Sequence, residues 1–197
     1  YFVVDSHVHF WDASEANWVP GAERYAKGWI ECFKAYNGLG PPETQWDMKR
    51  FETYSVDQAM ADLFERGHVD VAILQPTYLT EWYREGFNTT ERNAQLVAAA
   101  PDRFVLNTRF DPREGDEGMR AFEEKVARFG CRGVKLYTAE WRQGSRGWSL
   151  KDPEAFRFLE RCLELGIKNV HLHKGPTIWP LDKDAFDVAD VDQAATE

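Results

Sequence analysis

The chain contains 197 residues, of which 43% are hydrophobic and 14% aromatic, and its formal net charge is −9 at pH 7. This length and composition indicate one globular domain with a substantial hydrophobic core. The acidic balance disfavours nucleic acid as a partner, and no apolar run approaches the ~18 residues of a membrane span, so a membrane partner is not expected either.

Short apolar runs alternate with amphipathic stretches along the chain. The apolar runs predict β-strands at residues 2–10, 69–76, 103–112, 131–138 and 168–175. The amphipathic stretches predict helices at residues 55–67, 89–101, 116–130 and 152–166, and the tail 187–197 has the pattern of the start of a further helix. Ser55 and Asp152 are predicted N-caps, Pro153 suits the first helical turn, and Gly67 is a predicted stop.

A long segment, residues 11–54, separates the first strand from the first predicted helix. It is rich in aromatic residues, Gly and Pro, and it is too long for an ordinary connection. We therefore predict an inserted aromatic loop or lid. Its tryptophans, Trp11 among them, either line a pocket for a flat substrate or fasten the loop to the rest of the domain.

The alternation of strands and helices predicts an α/β fold with a parallel sheet. The two candidates are an open doubly wound sheet and a closed (β/α)8 barrel, and the lack of a Gly-x-Gly-x-x-Gly motif after any strand weakens the first. A whole barrel needs about 250 residues. We therefore expect residues 1–197 to be a single barrel domain that supplies about the first five βα units and lacks its C-terminal part.

The alternation of side chains along a strand predicts which residues face the barrel interior. Val134 and Leu136 suit the outer face beneath the helices, which turns Lys135 and Tyr137 inward. The same pattern turns Arg109 inward on the third strand, together with the histidines of the first and fifth strands. Sites in barrels form where strands end, and His9, Arg109, Tyr137 and His173 lie near such ends.

Two of the predicted strands end in a His-x-His pattern, "SHVHF" with His7 and His9 and "NVHLHKG" with His171 and His173. Two histidines on the same face of a strand can direct imidazole nitrogens at one ion, and a third from another strand would complete a catalytic set with an open position. The alternative is that each pair is simply two polar residues on a strand. Two such pairs at inward-facing strand ends favour a metal.

The motifs "DSHVHFWD", "GVKLYT" and "GIKNVHLHKGP" resemble the amidohydrolase superfamily, and the spacing of "NAQLVAAAPDRFVLNTRFDP" is similar to the branch that includes aminocarboxymuconate-semialdehyde decarboxylase. The resemblance covers nearly the whole chain apart from the aromatic loop. It implies a (β/α)8 barrel with a divalent metal, usually zinc, with manganese as the alternative. His7 and His9 match the first-strand ligands and His173 the fifth-strand ligand, while the branch's histidine after strand six and aspartate after strand eight would lie beyond this chain.

The remaining interior residues have competing interpretations. His171 lies one layer below His173 and is interpreted as a packing or supporting residue. Lys135 is expected to pair with an interior carboxylate, and the alternatives are that it holds a substrate carboxylate or, once carboxylated, bridges two metals. Arg109 either grips a substrate carboxylate or forms an interior salt bridge with Asp111 or Asp5. The tail aspartates are expected to be solvated: Asp184, Asp187, Asp190 and Asp192.

These residues predict a metal enzyme that acts on a small carboxylated molecule with an aromatic or conjugated system. Decarboxylation is slightly favoured over metal-dependent hydrolysis of a lactone or amide, with His173, Arg109 and Lys135 as catalytic residues. Trp11, Arg109 and Tyr137 are the predicted substrate contacts. The hypothesis from another class is a non-catalytic barrel used for binding or assembly.

The cysteines bear on the compartment. Cys32, Cys131 and Cys162 are odd in number and widely spaced, which is typical of reduced thiols in a reducing compartment. We therefore expect a cytoplasmic protein whose partner is a small-molecule substrate. Both a monomer and a homo-oligomer are compatible with these features.

Overall fold

A computed structural model describes residues 1–140, 142, 144–145, 147–175 and 183–196. The chain forms two compact units, Tyr1–Phe104 (unit 1) and Val105–Glu197 (unit 2). Two predicted positions, Pro176 at the end of the second histidine motif and Glu197 at the end of the tail, lie outside the described residues. Along the described part, no helix is both long and apolar enough to cross a membrane.

Unit 1 contains two parallel strands, β1 (Val4–Val8) and β2 (Val71–Leu74). Their register shifts between Asp5 and Val8, just before His9, which follows the strand. Beyond the paired residues, Gln75 N–H donates to the carbonyl of Val8 at 2.8 Å. This bond holds the carboxyl end of β1 beside the end of β2.

The aromatic segment 11–54 contains helices that sequence periodicity did not predict, α1 (Glu23–Asn37) and α2 (Met48–Glu52). The buried residues of α1 are Ala26 and Ile30, and aromatic rings flank them. Tyr83 fastens this helix by donating its hydroxyl to the carbonyl of Ala26 at 2.8 Å. Tertiary contacts with aromatic residues therefore take the place of a regular apolar stripe.

The helices predicted after this segment are present. The stretch 55–67 forms α3 (Val56–Met60), which continues into a π-helical turn (Ala61–Arg66). Ser55 caps it in a capping box with Gln58, which satisfies two backbone N–H groups at once. The next helix is α4 (Thr90–Ala99), capped by the side chain of Thr89.

Unit 2 is built on three parallel strands, β3, β4 and β5, whose ranges are Phe104–Arg109, Gly133–Tyr137 and Asn169–His173. Phe104, the first residue of β3, is the last residue of unit 1. The long helices of unit 2 are α5 (Gly115–Phe129), which ends at a left-handed Gly130, and α6 (Pro153–Glu164), with Asp152 at its N-cap position. Shorter helices follow β5: α7 (Lys183–Phe186), a 3-10 turn (Val188–Asp190) and α8 (Val191–Thr196).

The hydrophobic core of unit 2 lies between β4 and its helices. Val134 and Leu136 are fully buried against Met119 and Phe122 of α5 and Phe158 of α6. The predicted outer face of β4 is therefore confirmed. Because side chains alternate along a strand, Lys135 and Tyr137 lie on the opposite face of β4.

Candidate metal centre

The first histidine pair converges at the carboxyl end of β1. The Nε2 atoms of His7 and His9 are 3.1 Å apart, and the two rings meet edge-on with their centroids separated by 4.8 Å. Two imidazole nitrogens that each lie ~2.0–2.1 Å from one ion are separated by roughly 3 Å at common coordination angles. The pair therefore fits a divalent metal, which both rings could bind through Nε2.

On the other side of its ring, His9 contacts a backbone carbonyl and a side-chain amide. Its Nδ1 lies 2.7 Å from the backbone carbonyl of Gln75. Donation from Nδ1 to this carbonyl would leave Nε2 its lone pair, whereas the amide Nδ2 of Asn88, itself a donor, lies 3.0 Å from the same Nδ1 and suits the opposite tautomer. Donation from the second ring nitrogen to a carbonyl is the usual way in which proteins orient a metal-binding histidine.

Gln75 and Asn88 support His9, and the sequence did not single out either of them. Asn88 is fully buried and donates through Nδ2 to the same Gln75 carbonyl at 2.7 Å. The Gln75 side chain donates to the carbonyl of Ser6 at 3.0 Å, which ties the end of β2 to β1. The one available signal was weak: Gln75 is the first polar residue after the apolar run "VAIL".

In unit 2 the register of β4 and β5 places Tyr137 beside His173 and Lys135 beside His171. The rings of Tyr137 and His173 stack with 5.3 Å between centroids and 19° between planes. The ammonium nitrogen of Lys135 lies 5.0 Å from the centroid of the Tyr137 ring. Three of the predicted site residues, Lys135, Tyr137 and His173, are therefore neighbours at the carboxyl end of this sheet.

Lys135 is buried, with 3% of its surface exposed. Burial lowers its pKa to about 8, because the charged form loses its hydration. Among the described residues, no carboxylate forms an ion pair with its amine, so the expected partner is not found there. Burial, together with the nearby charge of Lys135, also lowers the pKa of His171.

Arg109 takes part in an ion-pair network in the interior of unit 2. Its guanidinium lies 3.0 Å from Glu114 and 3.6 Å from Asp111, and Arg142 contacts the same Glu114 oxygen. The interior salt bridge with Asp111 was one of the two interpretations from sequence. The role of Arg109 as a grip for a substrate carboxylate stays a prediction, and the acidic partners compete with it.

Asp111 is the most firmly held carboxylate of this network. Arg113 approaches it side-on, with Nε 2.8 Å from Oδ1 and Nη2 2.6 Å from Oδ2. Burial would raise the pKa of Asp111, but the hydrogen bonds and charge of Arg113, with the charge of Arg109, outweigh burial and lower it. This fork-to-fork geometry fixes the turn that follows β3.

Glu140, which follows β4, was not among the site residues predicted from the sequence. It is only 5% exposed, and the salt bridges of the described residues do not include its carboxyl group. Burial raises its pKa, although the charge of Arg109 acts in the opposite direction. A buried carboxyl of this kind keeps its proton more readily than an ordinary glutamate.

The residue after His173 is anchored by a buried ion pair. The amine of Lys174 lies 2.8 Å from Oδ2 of Asp190, and the two side chains are 6% and 7% exposed. Asp190 also accepts from the backbone N–H of Leu150 at 2.8 Å and from the hydroxyl of Ser149 at 3.1 Å. The prediction that the tail aspartates are solvated is therefore wrong for Asp190, because a lysine from the end of β5 neutralises it.

Trp11 lies at the centre of an aromatic cluster in unit 1. Its ring stacks with four others at centroid distances of 5.4 to 6.4 Å: Phe33, Trp46, Tyr54 and Phe87. Its indole N–H donates to the carbonyl of Phe51 at 2.7 Å. These contacts match the interpretation in which aromatic residues fasten the long segment, and a substrate contact for Trp11 stays a prediction.

The structure thus brings together His7 with His9 in unit 1 and Lys135, Tyr137 and His173 in unit 2. Within the described residues, no group of three His, Cys, Asp or Glu side chains is arranged to hold a metal ion. The three-histidine ligand set therefore stays a prediction, while the convergence of the first pair fits one metal.

Comparison with known proteins decides the family. The chain matches the amidohydrolase family over residues 4–197. It belongs to the amidohydrolase family. The resemblance carried by the two histidine motifs is thereby confirmed. No curated protein sequence matches the chain.

Solved structures show what the amidohydrolase chain resembles in fold. An uncharacterized TIM-barrel protein from Bordetella bronchiseptica superimposes with a TM-score of 0.66 at 16% identity, over 98% of this chain and 62% of that one. A 2,6-dihydroxybenzoate decarboxylase from Rhizobium gives 0.60 at 15% identity, over 93% of this chain and 52% of that one. The predicted fold class is confirmed: five parallel strands that match part of a TIM barrel.

A third structure carries ligands. The 5-carboxyvanillate decarboxylase from Novosphingobium aromaticivorans gives a TM-score of 0.57 at 13% identity, over 98% of this chain and 56% of that one, and it holds manganese and 3-methoxy-4-hydroxy-5-nitrobenzoic acid. The amidohydrolase chain therefore spans between 52% and 62% of the length of these three proteins. At these identities the likeness shows the fold alone.

Proposed function

We propose that this amidohydrolase is a divalent-metal-dependent decarboxylase of a small aromatic or conjugated carboxylic acid. The observation that carries the proposal is the His7–His9 pair, whose Nε2 atoms lie 3.1 Å apart, with His9 oriented by the carbonyl of Gln75. Support for the substrate class comes from similar folds, since two of the structures above are decarboxylases of hydroxylated benzoic acids.

The proposed ligands are His7, His9 and His173. Zinc is the metal expected from the resemblance, and manganese, present in the 5-carboxyvanillate decarboxylase, is the alternative. When bound, the ion supplies Lewis-acid stabilisation of negative charge on the substrate. The protein's own contribution is orientation: the Gln75 carbonyl fixes the ring of His9, and Tyr137 packs flat against the ring of His173.

The proposed substrate contacts are Trp11, Arg109 and Tyr137, with Lys135 and Arg109 as the cationic groups near the reacting carboxylate. Decarboxylation breaks the bond between the ring carbon and the carboxylate carbon, releases carbon dioxide and returns a proton to the ring carbon. A cation beside the carboxylate orients it before the bond breaks, and a flat apolar surface favours the neutral product that remains.

Hydrolysis of a lactone or amide is the second candidate. The same histidine pair favours it, because a metal held by imidazoles can also activate water. The two reactions differ in what they release. The full-length, metal-loaded protein should be offered hydroxybenzoic and dienoic acids beside lactones and amides. Carbon dioxide release that His173→Ala abolishes supports the proposal, and turnover confined to lactones or amides contradicts it.

Metal content tests the ligand assignment without any assumption about substrate. We expect stoichiometric divalent metal in the wild-type protein and a loss of at least tenfold in affinity in His9→Ala, because one of the converging nitrogens is removed. The matched control is His68→Ala, since His68 is exposed and distant in sequence from the pair. Equal metal content in wild type and His9→Ala would overturn the assignment.

A further inference from the structure

A row of basic residues crosses the sheet of unit 2. The strand register pairs Arg109 of β3 with Lys135 of β4, and Lys135 with His171 of β5. Residues in register on parallel strands lie at the same level and point to the same face. Lys135 therefore occupies the middle of the row, with a basic side chain on either side.

Among the described residues, the charge of Lys135 has no acidic partner. It is 3% exposed, and the salt bridges of the described residues do not include it. Its amine lies 5.0 Å from the centroid of the Tyr137 ring, and its charge also acts on His171. Two other cations of unit 2 are paired with buried carboxylates: Lys174 with Asp190, and Arg113 with Asp111.

A buried ammonium without a counter-ion is costly, and a neutral side chain of the same length would avoid that cost. Burial also lowers the pKa of this amine to about 8. An anionic ligand beside the amine would supply the counter-ion that the described residues do not provide.

We propose that Lys135 is the residue that binds the carboxylate of the ligand. The inference deepens the proposed function and rests on it for the class of ligand, a planar monocarboxylate. Arg109, the other candidate, already has Glu114 within 3.0 Å and Asp111 within 3.6 Å. A carboxylate on Lys135 meets no such competing acid in the described residues.

The neighbours of Lys135 indicate why the ligand is flat. Its amine lies over the face of Tyr137, and Tyr137 in turn stacks on His173 at 5.3 Å. The ring of Tyr137 is therefore a neighbour of both the cation and the imidazole. An acid whose carboxylate meets Lys135 would extend its ring beside Tyr137, where stacking favours a planar system.

The test is the binding of benzoate to the full-length protein, measured by calorimetry after the metal has been removed with a chelator. Lys135→Met keeps the length of the side chain and removes the charge. We expect it to weaken benzoate binding at least tenfold, while the neutral analogue benzyl alcohol binds wild type and variant equally. The matched control is Lys168→Met, at an exposed position just before β5, which should bind benzoate like wild type.

A second measurement covers the case in which Lys135→Met does not fold. Acetylation of Lys135 in the wild-type protein, followed by mass spectrometry of peptides, should be slowed by benzoate and not by benzyl alcohol. Undiminished benzoate binding in Lys135→Met, or acetylation of Lys135 at the same rate with and without benzoate, would overturn the inference. Inorganic phosphate serves as a further arm: protection by phosphate equal to that by benzoate would contradict selectivity for a carboxylate.

The inference and the proposed function can fail separately. If Lys135→Met loses benzoate binding but no acid releases carbon dioxide, Lys135 binds carboxylates and the decarboxylase proposal is wrong. If Lys135→Met decarboxylates acids with an unchanged KM, the reaction is supported and Lys135 does not hold the carboxylate.

Discussion

The ends of β1 and of β5 both carry a predicted metal ligand, but they are supported by different physical means. In unit 1, His9 is oriented by neutral hydrogen bonds that converge on the backbone carbonyl of Gln75. In unit 2, the residue after His173 is held by a buried ion pair between Lys174 and Asp190. Neutral bonds fix a tautomer at little electrostatic cost, whereas the ion pair is stable only while both charges are present.

The largest effect is expected when the ion pair is broken. Asp190→Asn leaves the Lys174 ammonium buried at 6% exposure without its counter-ion, which should cost about 3–5 kcal/mol in the free energy of unfolding. Urea denaturation at pH 7 measures it. The control is Asp192→Asn, which is exposed and should change the free energy by less than about 0.5 kcal/mol. Equal effects of the two substitutions would show that the pair is not a source of stability.

The same ion pair predicts sensitivity to acid. Burial would raise the pKa of Asp190, but its hydrogen bond with Lys174 and its other bonds outweigh burial and lower the pKa below the ordinary value of 3.8. Stability from this group is therefore present above pH ~4 and is lost as the pH falls through the pKa of the folded state. Asp190→Asn should remove that part of the acid dependence.

Replacing Lys135, whose amine forms no ion pair among the described residues, should have the next largest effect on the free energy of unfolding. Burial lowers the pKa of Lys135 to about 8 from its ordinary value of 10.5, so the unfolded chain binds more protons between these pH values and stability rises with pH there. At pH 7, Lys135→Met should be more stable than wild type by on the order of 3 kcal/mol, and the difference should shrink towards pH 10.

Urea denaturation at pH 7, 8, 9 and 10 tests this, with Lys168→Met as the control. The difference between two variants is informative because other buried groups, such as Cys162 with its pKa raised to about 12 by burial, act equally in both. A difference between wild type and Lys135→Met that stays constant over this range would contradict an unpaired buried amine.

The neutral support in unit 1 should give the smallest effect. Asn88→Ala removes an amide that contacts both the Gln75 carbonyl and Nδ1 of His9, and it leaves the contact between His9 and Gln75 in place. We expect affinity for zinc or manganese to fall by about 10–100-fold, the usual effect of removing a hydrogen bond that orients a metal-binding side chain. Competition with a coloured chelator measures it, with Asn169→Ala, an exposed residue, as the control. Unchanged affinity in Asn88→Ala would show that Gln75 alone orients the ring.

The sequence by itself determined the order of the elements and the faces of the strands. Apolar runs with alternating neighbours placed Val134 and Leu136 outside and Lys135 and Tyr137 on the opposite face, because alternation along a strand is a local property. The cap at Ser55 was equally readable, because a cap involves only nearby residues, here Ser55 and Gln58. The two histidine motifs indicated the family for the same reason, since each is complete within a few residues.

Only the tertiary structure decided which partner each polar side chain meets. Sequence did not reveal that His9 contacts a backbone carbonyl 66 residues away, that Asp190 is buried in an ion pair with Lys174, or that α1 lies within the aromatic segment. Each of these depends on burial and on contacts between distant residues, which local periodicity does not encode. The same holds for Lys135: its place on the inner face was predictable, but the lack of an acidic partner among the described residues is a property of everything packed around it.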